Sequence, residues 1–112
     1  MKDQLFMLKP GFFDGDKGPF YCRDSVAIEG MLGMFPQLRD AIDIVYVEYA
    51  RPRLPIIAQI GIENQSAPAL VVTAQVIAPE FAFKTAMGQR FLDDQALILR
   101  YLSIRYGVAS AR

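Results

Sequence analysis

Apolar residues fall along the chain in two rhythms, and the rhythms separate strands from helices. Leu5-Phe6-Met7-Leu8 is a short unbroken apolar run ended by Lys9-Pro10-Gly11, the pattern of a strand buried on both faces. Phe12 to Tyr21 mixes phenylalanines with Gly15, Gly18, Pro19 and three charges, which predicts a loop. Helical spacing follows. Val26, Ala27, Met31, Met34 and Phe35 share one face, with Ile28 and Leu32 widening it. Asp24 and Ser25 supply oxygens for its first turn, and Pro36 ends it at Phe35.

Ile42 to Tyr49 is β-branched and aromatic, the clearest strand in the chain. Pro55 suits a first helical position, Ile56, Ile57 and Ile60 form an apolar face, and Gly61 suits the C-terminal cap. Ala69 to Ala74 reads as a third strand and Arg90-Phe91-Leu92 as part of a fourth. Asp93 or Asp94 caps a last helix carrying Leu97, Ile98, Tyr101 and Leu102 and ending at Gly107. The order is β-α-β-α-β-β-α, an α/β chain with a four-stranded mixed sheet flanked by helices. The first two strands are joined through a helix and so run parallel; the last two run antiparallel. Gln75 to Gln89 is long for a hairpin, so it is either an irregular protrusion or extends both strands.

Composition narrows the chemistry. At 112 residues, 53% of them apolar, residues 1–112 make one domain able to bury a core. Twelve basic residues balance twelve acidic ones, so no basic footprint predicts a nucleic-acid partner. The absence of histidine excludes Ser-His-Asp and Cys-His machinery and imidazole metal ligands. A single cysteine excludes an internal disulfide and multi-cysteine zinc sites, so no metal is expected. The first apolar run is too short for a signal peptide, and none approaches the roughly 20 residues of a membrane span. The expectation is a cytoplasmic protein with no membrane partner.

The one sulfur has a suggestive position. Cys22-Arg23-Asp24-Ser25 sits where a loop enters a helix, and free amides and the helix dipole favour a thiolate there. Arg23 supports that charge, Asp24 opposes it, and the Ser25 hydroxyl is placed to donate to the sulfur. Plainer roles stand beside these: Cys22 as a small apolar residue, Pro68 as a loop terminator, Asp94 as a helix cap, at least one of Arg51 and Arg53 as a surface cation. Gly11 to Lys17 is not a phosphate loop, since Asp16 replaces the second glycine and no Ser or Thr follows Lys17. Asp14-x-Asp16 opens no calcium loop, because Ser25 occupies the twelfth position.

The element order, Cys22-x-x-Ser25 at a helix start, Ser66-Ala67-Pro68 before the third strand, and Phe91-Leu92-Asp93-Asp94-Gln95 before the last helix together resemble the thioredoxin-like superfamily. From Leu5 to Gly107 the chain is similar to monothiol glutaredoxins and to the N-terminal domain of glutathione transferases. It also looks like a small bacterial family of uncharacterised thioredoxin-like proteins. The resemblance implies a thioredoxin-like fold, Cys22 as nucleophile assisted by Ser25, and a cis-proline at Pro68 whose neighbour Ala67 pairs with a peptide backbone. It implies Asp94 and Gln95 at the γ-glutamyl end of glutathione, with Gln95 replacing the family's Ser, and one of Arg51 and Arg53 at the glycyl carboxylate. Arg23 stands where glutaredoxins carry proline, and the helical second domain of the transferases has no counterpart here.

Two functions follow as expectations. One is monothiol, glutathione-dependent thiol–disulfide exchange through Cys22, with glutathione or a thiol-containing peptide as partner and no resident cofactor. The other is a non-catalytic binding or dimerisation module, a homodimer joined through Gln75–Gln89. Iron–sulfur carriage, with one Cys22 from each of two protomers and two glutathiones, ranks behind both.

Overall fold

The apolar run at the amino end becomes the middle of a sheet. In the computed structural model, which describes residues 1–73 and 81–112, β1 (Gln4–Leu8) is followed by β2 (Phe12–Asp14), β3 (Lys17–Phe20), α1 (Arg23–Met34) and α2 (Leu38–Ala41). Then come β4 (Asp43–Val47), α3 (Leu54–Ile60), β5 (Ala69–Val72), β6 (Lys84–Ala86), β7 (Gln89–Leu92) and α4 (Gln95–Tyr106). β1 pairs in parallel with β4, from Gln4 opposite Asp43 to Leu8 opposite Val47. On its other side β1 pairs antiparallel with β5, β5 with β7, and β7 with β6. The spatial order is β4-β1-β5-β7-β6.

Two expectations need correcting. The sheet has five strands, not four. The second half of the Gln75–Gln89 segment supplies the extra strand, turning back through Met87 and Gly88, both at positive φ. Phe12 to Tyr21 is not a loop but a two-stranded hairpin, with Phe12 opposite Phe20 and Asp14 opposite Lys17. Its glycines and proline hid it, because they also serve the hairpin: Gly15 takes the positive φ of the turn. At Gly18 a Cβ would meet the Phe12 carbonyl oxygen at 2.8 Å. Residues 74–80 lie outside the described residues, and with them the end of the expected Ala69–Ala74 strand and part of the expected dimerisation segment.

Strand alternation sends side chains to two cores. Leu5, Met7, Leu70, Val72 and Leu92 meet Ile28 and Leu32 of α1 and Ile98, Tyr101 and Leu102 of α4. Phe6, Leu8, Val47, Val71 and Phe91 meet Ile56 and Ile60 of α3. Both faces of β1 are therefore covered, which is why its sequence is unbroken rather than alternating. Each large side chain buried this way contributes about 1.5–3 kcal/mol. The face expected for α1 shifts: Ile28 and Leu32 are fully buried, while Val26 and Met34 are exposed.

Because β5 opposes both β1 and β7, the strands β1, β4 and β7 run the same way. Their carboxyl ends and the amino end of β5 share one end of the sheet. The opposite end is closed by Asp3, a carboxylate only 2% exposed. Its oxygens accept from the hydroxyls of Tyr101 (3.1 Å) and Tyr106 (3.0 Å) and from the Thr73 amide (3.1 Å). Its own carbonyl accepts from Asp43 N (2.9 Å). One residue thus joins β1, β4 and α4 to the end of β5. Burial first, then the Asp3 charge and its hydrogen bonds, raise both tyrosines well above their ordinary value.

Candidate functional site

Loops leaving β1, β4 and β7 and the loop entering β5 meet at one end of the sheet, the usual place for ligands in sheets with parallel strands. The β1 loop is the hairpin, and it delivers Cys22 to the start of α1. Cys22 is itself the N-cap, with extended backbone (φ −80°, ψ 117°), and its Sγ accepts from Ser25 N at 3.4 Å. The expected capping oxygens of Asp24 and Ser25 therefore give way to a sulfur. Cys22 is half-buried, a free thiol packed against the Phe6, Leu8, Val47 and Ile56 core.

Ser25 is placed beside the sulfur, and its hydroxyl oxygen also serves β1. It is buried, and its Oγ accepts from Leu8 N at 3.2 Å, fastening the first turn of α1 to the last residue of β1. The group that Ser25 gives to the sulfur is its backbone amide. The bond from Leu8 N occupies the acceptor side of the hydroxyl, because β1 ends at Leu8 and its last amide needs an acceptor.

A cleft of about 360 Å³ runs from this point along α1. Cys22, Ser25, Val26 and Glu29 line one wall, at the helical spacing that puts them on one stripe, about 10.5 Å long. Met7 and Leu8 of β1 and Tyr46 of β4 line the other, with Pro10 and Tyr21 completing it. At Glu29, Tyr46 Oη donates to Oε2 at 2.8 Å and Arg39 donates to Oε1. Partial burial works to raise the Glu29 carboxyl, but the Arg39 guanidinium and the Tyr46 hydroxyl outweigh it and hold it below the usual carboxylate value.

Arg53, at the N-cap of α3, is only 8% exposed. Its Nε and Nη2 donate to Tyr49 O (3.1 and 2.7 Å) and its Nη1 to Gln65 O (2.8 Å). Its amide donates to Gln65 Oε1 at 2.9 Å. The Tyr49 ring beneath it stacks on Phe12 of the hairpin, centroids 4.4 Å apart. Burial, then the like charge of Arg51, lowers its pKa, while Tyr49 and Cys22 act the other way. Arg53 is thus not a surface cation. It binds the loop after β4 to the loop before β5, and two of its five N–H groups remain beyond these bonds. Arg51 is exposed on the same loop, before a cis Arg51–Pro52 peptide. Among the described residues neither arginine pairs with a carboxylate.

The Ala67–Pro68 peptide is cis, as is Gly18–Pro19 in the hairpin. Pro68 is buried, and Ala67 packs on the same core as Cys22. Asp94 is exposed and caps α4, its Oδ1 accepting from Leu97 N at 2.9 Å. Gln95 opens on a different cavity, between α1 and α4, beside Met31, Phe35 and Leu99. The residues expected at the site divide accordingly. Cys22, Ser25, Arg53 and Ala67 converge on the β1 end, whereas Asp94 and Gln95 line no cavity with the sulfur among those described.

Sequence reasoning missed the Glu29–Arg39–Tyr46 group and the burial of Arg53. Glu29 carried one signal, its place seven residues beyond Cys22 on α1. The hairpin also leaves Phe13, Phe20 and Tyr21 exposed just before the sulfur. Among the described residues no cluster of three or more Cys, Asp or Glu is arranged to hold a metal, and no helix is long and apolar enough to cross a membrane. Residues 2–110 match the sequence family described as "Protein of unknown function (DUF3088)". Comparison with curated proteins and with solved structures gives no match.

Proposed function

The chain belongs to the DUF3088 family of unknown function, and from its own geometry we propose that it is a thioredoxin-like monothiol protein exchanging disulfides with glutathione through Cys22. The observation that carries this reading is the N-cap sulfur: a half-buried thiol receiving an amide hydrogen bond at a helix start. A sulfur so placed faces the amide donors of a helix start. The order β4-β1-β5-β7, with one parallel pair, supports the fold reading. The cis Ala67–Pro68 peptide beside the same core supports a peptide-facing role for Ala67.

In this reading the Cys22 thiolate attacks a glutathione mixed disulfide. A Cys22–glutathione disulfide forms, the substrate thiol leaves, and a second glutathione thiolate restores Cys22 while releasing glutathione disulfide. Arg51 is the better placed cation for a ligand carboxylate, since Arg53 already serves two backbone carbonyls. Asp94 and Gln95 would reach a γ-glutamyl end only from the neighbouring loop. The cytoplasm, where a lone thiol stays reduced, suits the chemistry.

Incubation of the protein with glutathione disulfide, read by intact mass, tests the reading. Cys22 is expected to gain one glutathione and lose it to added glutathione, and Cys22→Ser to gain none. A native thiol that resists both glutathione disulfide and iodoacetamide at neutral pH, yet reacts once unfolded, would overturn it. The exposed Phe13, Phe20 and Tyr21 favour the second reading, a non-catalytic binding module, in that event.

A further inference from the structure

A strand at the edge of a sheet carries backbone donors and acceptors that its own sheet does not use. Among the described residues β4 and β6 are the two edges, and they differ. β6 has three residues, headed by an exposed Lys84 joined to Asp93, and a short, lysine-bearing edge discourages further pairing. β4 has five residues, Asp43-Ile44-Val45-Tyr46-Val47, with no lysine, proline or glycine. Its one charge, Asp43, stands at the first position. Register gives the direction of each group. Asp43 N donates to Asp3 O, and Val47 O accepts from Lys9 N, so Asp43, Val45 and Val47 turn their amides and carbonyls toward β1. Ile44, Tyr46 and Glu48 turn theirs outward, and among the described residues no hydrogen bond reaches those backbone groups. Tyr46 is 41% exposed, and Ile44 and Val45 are half-buried.

We propose that β4 pairs antiparallel with β4 of a second copy of this chain, joining the two sheets across a two-fold axis at Val45. In that register the whole of β4 overlaps itself, with Asp43 opposite Val47. Ile44 of each copy exchanges both backbone bonds with Tyr46 of the other, so the outward groups within β4 all find partners. Val45 faces Val45 on the α3 side, and an aromatic ring faces a β-branched side chain on the α1 side. Charge agrees with this register. Asp43 meets Val47 and Glu48 meets Ile42, so no like charges oppose each other, and Glu48 is paired with Lys9 of its own chain at 2.7 Å. A foreign strand would have to bring this complementarity; a second copy already carries it. One pairing covers both β4 edges, so association closes at two chains. Tyr46 lines the Cys22 cleft, and Ile44 of the second copy therefore stands at the rim of that cleft. The pairing holds whether or not Cys22 exchanges.

Sedimentation equilibrium of the full chain tests this, and the expected mass is that of two chains. Val45→Lys and Val45→Glu each set like charges against each other across the axis, and each alone is expected to sediment as one chain. An equal mixture of the two is expected to regain the mass of two. A native chain that stays single overturns the proposal and leaves the edge to a strand of another protein. A dimer that neither substitution weakens, or a mixture that stays single, overturns it as well. If circular dichroism shows that either variant fails to fold, cross-linking decides. Residues opposed as Val45 is have Cα atoms about 4.5 Å apart, within disulfide reach. Val45→Cys made with Cys22→Ser is expected to form a disulfide-linked dimer on mild oxidation. Glu48→Cys in the same background, opposite Ile42, is expected to cross-link about tenfold more slowly. Equal rates, or no dimer from Val45→Cys, overturn the pairing.

Discussion

The two ends of the sheet handle polarity in opposite ways. At one end Asp3 is buried, and its carboxylate is surrounded by the hydroxyls of Tyr101 and Tyr106 and the amide of Thr73. At the other, Cys22 is half-buried with, among the described residues, one long amide donor to its sulfur, and a cleft opens beside it. The first arrangement uses a charge to hold β1, β5 and α4 in register and leaves nothing for a ligand. The second fixes its backbone through Ser25 and Arg53 and leaves the sulfur open. A buried carboxylate and a half-buried thiol are thus separated by the length of β1.

The largest expected effect lies at the closed end. Asp3→Ala removes the shared acceptor from two tyrosine hydroxyls and an amide, and is expected to destabilise the fold by about 3 kcal/mol, measured by urea unfolding. A loss under about 1 kcal/mol would mean that the hydroxyls find water instead, and the contrast between the ends would weaken. Alkaline pH probes the same group. Tyr101 and Tyr106 have folded pKa values raised above the ordinary 10.0, so the unfolded chain releases those protons first. Their contribution is complete below about pH 10 and declines as pH rises through the folded values. Phenylalanine at both positions is expected to flatten that decline in thermal melts followed from pH 9 to 11. The smallest effect belongs to the open end: Asp94→Ala is expected to cost about 1 kcal/mol as a lost helix cap. An unchanged rate of Cys22 alkylation in that variant would keep Asp94 apart from the sulfur; a changed rate would join them.

Much of the fold was legible in the sequence because burial leaves a strong trace. Leu5–Leu8, the Ile42–Tyr49 region and the helix capped by Asp94 were all readable from period and capping residues. The hairpin was not, since its strands are short and exposed and rely on the glycine and proline that also mark loops. For the site, the place of Cys22 at a helix start was legible, as was Asp94 as a cap. The role of Ser25 was not, because a hydroxyl near a sulfur in sequence gives no sign that the amide of Leu8 claims it. Arg53 was opaque for a similar reason: its partners are backbone carbonyls of Tyr49 and Gln65, which have no sequence signature.

The hairpin between β1 and Cys22 closes at its base, where Gly11 N donates to Phe20 O at 2.8 Å. This bond acts as a clasp on the chain. Whatever lies beyond it, long or short, enters and leaves at nearly the same point, so the path from Leu8 to the sulfur is set at the base and not at the tip. Variation in the Asp14–Lys17 turn can therefore reshape the surface beside Cys22 while the thiol keeps its seat on α1.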